Sequence, residues 1–273
     1  GDKPLFLWYT GGGKRRGETA IVRILLVNPK SKLPIDTRTS PPLGLAYLAA
    51  VTERRGDEVH IYDGDIEDRP LPFIINQIRP HVVGITANTT QITAAWRDAE
   101  LVKSLSGALV VMGGPHLTSL PEESAARPTV DVIVRGEGEA TWIELLSTLE
   151  EQLQSSDAAD QTPSLRLEKP IAGITYRNGD GQVVSTPDRP TIPVEELDKM
   201  PFPAWHLFRL ERYTNLQPTV DRVTGRSLPL LTSRGCPYRC TYCSQIGPRL
   251  WRGRSVESVI AEWRWLVKDL GAV

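Results

Sequence analysis

The chain has 273 residues, a formal net charge of −1 and a pI of about 6.5. That length allows two units with cores of their own, and the charge balance gives no electrostatic ground for nucleic acid or an anionic membrane as partner. No apolar run approaches the ~20 residues that span a bilayer, so no membrane crossing is expected.

Residues 1–21 read as a leader, expected to be disordered. Leu5-Phe-Leu-Trp8 precedes the basic Lys14-Arg-Arg16, and no small-residue cleavage site follows a long apolar core, so a signal peptide is not expected in these residues. Gly11-Gly-Gly-Lys14 lacks the spacing of a phosphate-binding loop and stands before the first strand rather than after it.

From residue 22 to 152 strand and helix signals alternate with short connections, the pattern of a parallel α/β sheet. The first strand is expected at Val22–Val27, a continuous apolar run suited to burial on both faces. Asn28-Pro29 ends it, and Ser40-Pro-Pro-Leu-Gly44 opens a helix stopped by Gly56. Further strands follow at Glu58–Tyr62, Val82–Thr86, Ala108–Met112 and Val132–Val134. Helices are expected around Phe73–Ile78, over Ile92–Leu105, and after Arg135-Gly-Glu-Gly-Glu139 with Trp142, Ile143, Leu146 and Leu149. Three strand ends thus carry polar or glycine-rich loops on one sheet edge: Thr86-Ala-Asn-Thr-Thr-Gln91, Gly113-Gly-Pro-His116 and Arg135–Glu139. Open α/β sheets bind ligands at that edge. The glycine turns follow the fourth and fifth strands instead of the first, which speaks against a nicotinamide dinucleotide.

Polar residues 153–170 read as an exposed start to a linker, 153–227, that carries a β-hairpin around Asn178-Gly-Asp-Gly181. The Pro-rich segment Pro187–Phe208 reads as an ordered strap anchored by Trp205 and Phe208. A new unit is expected over 228–273: a strand at Leu228–Thr232, a loop with all three cysteines, and a helix Ser255–Leu270 with Ser255 as N-cap. Strand, loop and helix make the first βα unit of a (β/α) barrel, whose site lies at the strand's C-terminal side. Gly271-Ala-Val273 looks like the approach to a second strand.

Cys236, Cys240 and Cys243 are the only cysteines, gathered in one eight-residue window. Disulfide cysteines would be even in number and more scattered, whereas ligands of one inorganic centre need local spacing. A structural zinc site wants four Cys/His ligands, and neither a second cysteine pair nor a partner for His206 exists at that spacing. Three thiolates on a four-iron cluster leave one iron open.

The cysteine loop, Ser233-Arg-Gly-Cys-Pro-Tyr-Arg-Cys-Thr-Tyr-Cys243, resembles the cluster loop of radical S-adenosylmethionine enzymes. With Asn28-Pro29, Ser40–Gly44, Gly113–His116 and Arg135–Glu139 before it, the chain resembles the cobalamin-binding members of that family. The resemblance implies a flavodoxin- or Rossmann-like parallel five-stranded domain over 22–152 and the truncated N-terminal part of a radical core over 228–273. It implies three cofactors: a 4Fe-4S cluster on Cys236, Cys240 and Cys243, S-adenosylmethionine, and cobalamin. Thr86, Asn88, Thr89 and Gln91 are then expected near the lower face of cobalt, and Gly113, Gly114, His116, Gly136, Glu137 and Gly138 among the cobalamin contacts. Arg234, Gly235 and Tyr242 would shape the cluster loop. The Asp-x-His-x-x-Gly string that supplies a cobalt ligand in other cobalamin domains is absent, so no histidine is expected on the metal; His60 and His81 read as strand-bound imidazoles.

The function so implied is methyl transfer to an unreactive carbon of a small molecule, started by a 5′-deoxyadenosyl radical. Radical cyclisation or rearrangement with cobalamin, and a non-catalytic cobalamin and iron–sulfur binding fragment, stand as alternatives; no catalytic side chain is singled out. Free thiols and a labile cluster point to a reducing cytoplasm. Later barrel strands would supply the contacts to S-adenosylmethionine, so the missing remainder of the core is expected as a partner.

Overall fold

In a computed structural model, residues 22–31, 40–155, 167, 169–213, 226–243, 247 and 249–272 are described. The expected leader and most of the 153–170 linker lie outside them. The first half alternates β1 (Arg23–Asn28), α1 (Leu43–Arg55), β2 (Glu58–Asp63), α2 (Leu71–Ile78), β3 (Val82–Thr86) and α3 (Ile92–Leu105). Then come β4 (Leu109–Gly113), two short helices, α4 (Pro115–Ser119) and α5 (Pro121–Ala125), β5 (Val132–Val134) and α6 (Gly138–Ser155). The strand and helix order expected from the sequence is present, with strand bounds shifted by a residue at β1, β2 and β4. The short helices α4 and α5 were not anticipated.

The sheet is larger than expected. The hairpin β6 (Ile174–Arg177) and β7 (Val183–Ser185) adds to its edge, giving seven strands in the order β2-β1-β3-β4-β5-β6-β7. The first five strands run parallel, while β6 pairs antiparallel with β5, Ile133 opposite Thr175. A hairpin alone in water is marginal, and pairing with β5 covers an edge that would otherwise stand open.

Alternation along β1 explains the two layers. Ile24 and Leu26 face a core with α1 and α6, built on Trp142, Leu145 and Leu149. Leu25 and Val27 face the other, with Ile75, Ala95 and Ala99 of α2 and α3. β2 lies on one side of β1 and β3, β4 and β5 follow on the other, so the switch in strand order falls between β1 and β3. That is where such sheets open a crevice at the strand C-termini.

The strap runs through α7 (Val194–Leu197) and packs on α1. Trp205 is fully buried, Phe208 nearly so, and the Ala204 amide donates to the Ala46 carbonyl at 3.0 Å.

The last unit departs from expectation in one respect. Leu228–Thr232 forms no strand; instead β8 (Ser233–Arg234) and β9 (Arg252–Gly253) pair antiparallel and close the base of the cysteine loop. β-Propensity in an apolar run is a weak guide without a neighbour to pair with. The α8 helix (Val256–Lys268) follows, its Ser255 hydroxyl accepting from the Ser258 amide at 3.1 Å as an N-cap. Ala272 then bridges in parallel to Arg226, the β–α–β sense expected of the approach to a second strand.

Candidate cofactor site

A cavity of about 470 Å³ opens at the C-terminal ends of β3, β4 and β5 and reaches across to β8. Its wall is mostly apolar: Leu43 and Leu48 of α1, Val111 of β4, Val134 of β5 and Trp142 of α6. The floor exists because β3 carries Gly84. A Cβ there would stand 2.8 Å from Leu26 Cδ2 and 3.1 Å from the Trp142 ring, so any side chain would push the indole into the space. Trp142 is also held from the other end, its indole N–H donating to Thr52 Oγ1 at 2.8 Å. An isolated glycine inside a strand signals a close approach, and Gly84 within Val82–Thr86 is such a signal in the sequence.

Thr86, Gly113, Gly114, Gly136, Glu137 and Gly138 all line the cavity, as does Gly235 from the cysteine loop. At Gly114 the backbone has φ +105°, and a Cβ would meet Thr86 Oγ1 and the Ala87 carbonyl at 2.9 Å. Only glycine lets the β3 and β4 loops lie so close. The Ala87 amide donates to the Gly113 carbonyl at 3.0 Å and tightens the same contact.

The other expected contacts lie elsewhere. Asn88 caps its own turn, accepting from the Thr90 amide at 2.9 Å. Gln91 is buried and donates to Asn28 Oδ1 and the Pro29 carbonyl, and Asn28 in turn donates to Asp63 Oδ1. Tyr213 donates to the other Asp63 oxygen at 2.7 Å, which completes a buried polar chain across β2, β1 and β3. Burial holds the Asp63 carboxyl above the usual aspartate value even though these donors oppose it. His116 is buried between Thr89 Oγ1 and Glu123 Oε2. Asn88, Thr89, Gln91 and His116 thus support the loops behind the cavity and do not line it. Loop polarity alone could not separate a ligand-facing side chain from one that closes a turn.

Charged groups ring the mouth. Arg234 donates to Glu139 at 2.6 Å and its guanidinium lies 5.4 Å from the Tyr47 ring. Burial, with the Glu262 carboxylate beyond it, pushes the Tyr47 phenol up to about 12, so it stays neutral. Burial works to raise the Glu137 carboxyl, but hydrogen bonds from Arg252 and the Ile192 amide, with the Arg234 charge, hold it below the usual glutamate value.

The three cysteines form no disulfide; Cys236 is half-buried, and Cys240 and Cys243 are exposed. The Cys243 amide donates to the Cys240 carbonyl at 3.2 Å, one turn bringing the last two together. Among the described residues no three His, Cys, Asp or Glu side chains are gathered at metal-holding geometry. The donor set nevertheless suits an iron–sulfur cluster: three cysteines outside any disulfide follow one another on a loop whose Gly235 borders an apolar cavity.

Residues 37–146 match the B12 binding domain family, which places the α/β unit. Over 262 residues the chain is 38% identical to a protein of Pyrococcus horikoshii described as an uncharacterised methyltransferase, covering 92% of this chain and 52% of that protein. It is 33% identical to an anaerobic magnesium-protoporphyrin IX monomethyl ester cyclase of Rubrivivax gelatinosus, over 84% of this chain and 39% of the relative. A cytidylyl-2-hydroxyethylphosphonate methyltransferase of Streptomyces wedmorensis is 29% identical, covering 88% and 51%. The chain therefore spans about half the length, or less, of these relatives. In fold it is similar to the radical S-adenosylmethionine methyltransferase TsrM of Kitasatospora setae, solved with cobalamin and a 4Fe-4S cluster (TM-score 0.64, 21% identity, 92% of this chain and 47% of that one). It is equally similar to the cobalamin-dependent radical enzyme OxsB with aqua-cobalamin bound (TM-score 0.66, 20% identity, 98% and 37%). The chain thus carries a match to the B12 binding domain family over residues 37–146 and is similar along most of its length to proteins described as methyltransferases and cyclases.

Proposed function

We propose that this chain is the cobalamin-binding and cluster-bearing portion of a cobalamin-dependent radical S-adenosylmethionine methyltransferase that acts on an unreactive carbon of a small molecule. One observation carries the reading: an apolar cavity of about 470 Å³ at the sheet's C-terminal edge shares its wall with Gly235, the residue before Cys236. Cofactor space and cysteine loop are therefore neighbours.

The apolar wall of Leu48, Val134 and Trp142 suits the flat, apolar part of a cobamide. Thr86 and the glycine turns at Gly113-Gly114 and Gly136–Gly138 border it with backbone that can approach closely. Cys236, Cys240 and Cys243 would hold the cluster. When bound, cobalamin supplies a cobalt-centred methyl carrier, and the cluster supplies the electron that cleaves S-adenosylmethionine. The protein's part is to bind, to keep water from the cavity, and to hold the two centres side by side.

Anaerobic reconstitution should load about four irons per chain, and Cys240→Ala should abolish the brown absorbance while cobalamin still binds. Gly138→Phe should do the reverse. A Cβ on Gly138 stands in ordinary contact, 3.5 Å from Val134 Cγ1 and 3.9 Å from Leu48 Cδ2, so a larger side chain would enter the cavity. Stoichiometric zinc without iron, or cobalamin affinity unchanged in Gly138→Phe, would overturn the assignment.

The Rubrivivax gelatinosus relative favours a second reading, a cobalamin-using radical cyclase. Methyl-labelled S-adenosylmethionine separates the two in the whole enzyme: label enters the product only in methyl transfer. No helix among the described residues is long and apolar enough to cross a membrane; a cytoplasmic location and a partner in the rest of the radical core belong to this proposal.

A further inference from the structure

The ladder that closes the cysteine loop sets two like charges face to face. Arg234 on β8 is directly opposite Arg252 on β9, and their side chains are 12% and 5% exposed. Like charges opposite one another weaken a strand pair, and burial makes an uncompensated charge far more costly. The compensation comes from a distant part of the chain. Glu139, 95 residues before Arg234, accepts from its Nη2 at 2.6 Å. Glu137, 115 residues before Arg252, accepts from its Nη1 at 3.0 Å and also lies 3.9 Å from Arg234 Nη1. Two arginines and two glutamates thus form a closed set of zero net charge.

The geometry just beyond is tight. Gly235 has φ +78°, and a Cβ on it would lie 2.0 Å from the Leu250 carbonyl oxygen. The chain entering the loop and the chain leaving it pass within backbone contact, and Cys236 follows at once. Anything that opens the Arg234–Arg252 ladder therefore moves the first cysteine.

We propose that Glu137 and Glu139 are positioning residues: their carboxylates neutralise the Arg234–Arg252 pair, close the base of the 235–251 loop, and seat the three cysteines beside the cavity. Glu137, expected among the cobalamin contacts, lines the cavity, and its carboxylate accepts from Arg252 at the base of the cysteine loop. What the cysteines hold rests on the function proposed above, but closure of the loop does not.

The test uses the full chain. In the metal-free protein, trypsin reports on the loop through the exposed Arg239. Glu137→Gln/Glu139→Gln should raise cleavage there on the order of 10-fold, as expected for losing charge-assisted hydrogen bonds. Glu137→Gln alone is the milder probe if the double variant folds poorly. Arg252→Gln added to Glu137→Gln should return cleavage toward wild type, because it removes the charge left uncompensated; additive losses would overturn the proposal. After reconstitution, iron retention should fall more than cobalamin affinity. Wild-type cleavage and iron retention in the double variant would refute the latch, as would a loss of cobalamin affinity with the loop unchanged. Wild-type protein that takes up no iron while the cleavage results hold would sink the cluster reading and leave the latch standing.

Discussion

On α3, burial alone pushes the Asp98 carboxyl from the ordinary 3.8 up to about 6. A raised folded value means that the folded state holds the proton more tightly. The group's contribution to stability is thus present below about 3.8 and lost as pH rises through about 6. Asp98→Asn should therefore stabilise the protein at pH 8, by about 1–2 kcal/mol after allowing for solvent screening, and should be close to neutral at pH 4. Urea midpoints of variant and wild type at the two pH values check the sign, and an equal effect at both would contradict it. The four histidines make a second residue-scale case. His60 pairs with Glu58, His81 Nδ1 accepts from the Arg23 amide, His116 lies between Thr89 and Glu123, and His206 pairs with Glu53. None of them lines the cavity. Electron paramagnetic resonance of bound Co(II) cobalamin should accordingly lack superhyperfine splitting from a histidine nitrogen. A nitrogen signal that disappears in His116→Ala would show that the imidazole leaves Thr89 and Glu123 to reach the metal.

Two elements make separate cases: β3, which runs beneath the cavity, and α8, which follows the cysteine loop. In β3, Gly84→Val would bring its branched side chain against Leu26 and Trp142, where even a Cβ stands at 2.8 and 3.1 Å. Overpacking of this kind should cost about 1–3 kcal/mol in chemical denaturation and weaken cobalamin binding by displacing the indole. Unchanged stability would mean that Trp142 can move freely. For α8 the N-cap is double: Ser255 Oγ accepts from the Ser258 amide, and the Ser255 amide donates to Asp198 of the strap at 3.0 Å. Ser255→Ala should cost ~1 kcal/mol, read as faster hydrogen exchange in the first turn of α8 but not in α1. On α8, Val256, Ile260, Trp263 and Val267 are exposed, while Val259 is half-buried and Leu266 is buried in the core cluster that also holds Leu45 of α1 and Trp205 of the strap.

At the scale of the molecule, the cavity belongs to neither unit by itself. Its wall takes Leu48 from α1, Val134 from β5, Trp142 from α6 and Ser233 to Gly235 from the cysteine strand. Saturating cobalamin should therefore slow hydrogen exchange at the β3–β5 edge and at 231–235 together, since a ligand bound across both stabilises both. Protection of the sheet edge alone would place the ligand outside this cavity.

The succession of strands and helices along the chain, with α1, α3, α6 and α8, and the three clustered cysteines could be read directly from residues 22–272, because periodicity, glycine stops, caps and ligand spacing act over a few neighbours. The β6–β7 hairpin was legible as a hairpin, but its attachment to β5 was not, since pairing is a contact between segments some 40 residues apart. The same limit explains the site. Gly113, Gly114, Gly136 and Gly138, expected among the cobalamin contacts, lie on the cavity wall, where their backbone constraints are local. Whether Gln91, His116 or Glu137 would turn to a ligand or to the protein depended on partners at Asn28, Glu123 and Arg252. A polar side chain that is buried takes whichever partner the fold brings within hydrogen-bonding reach, and only the tertiary structure decides which that is.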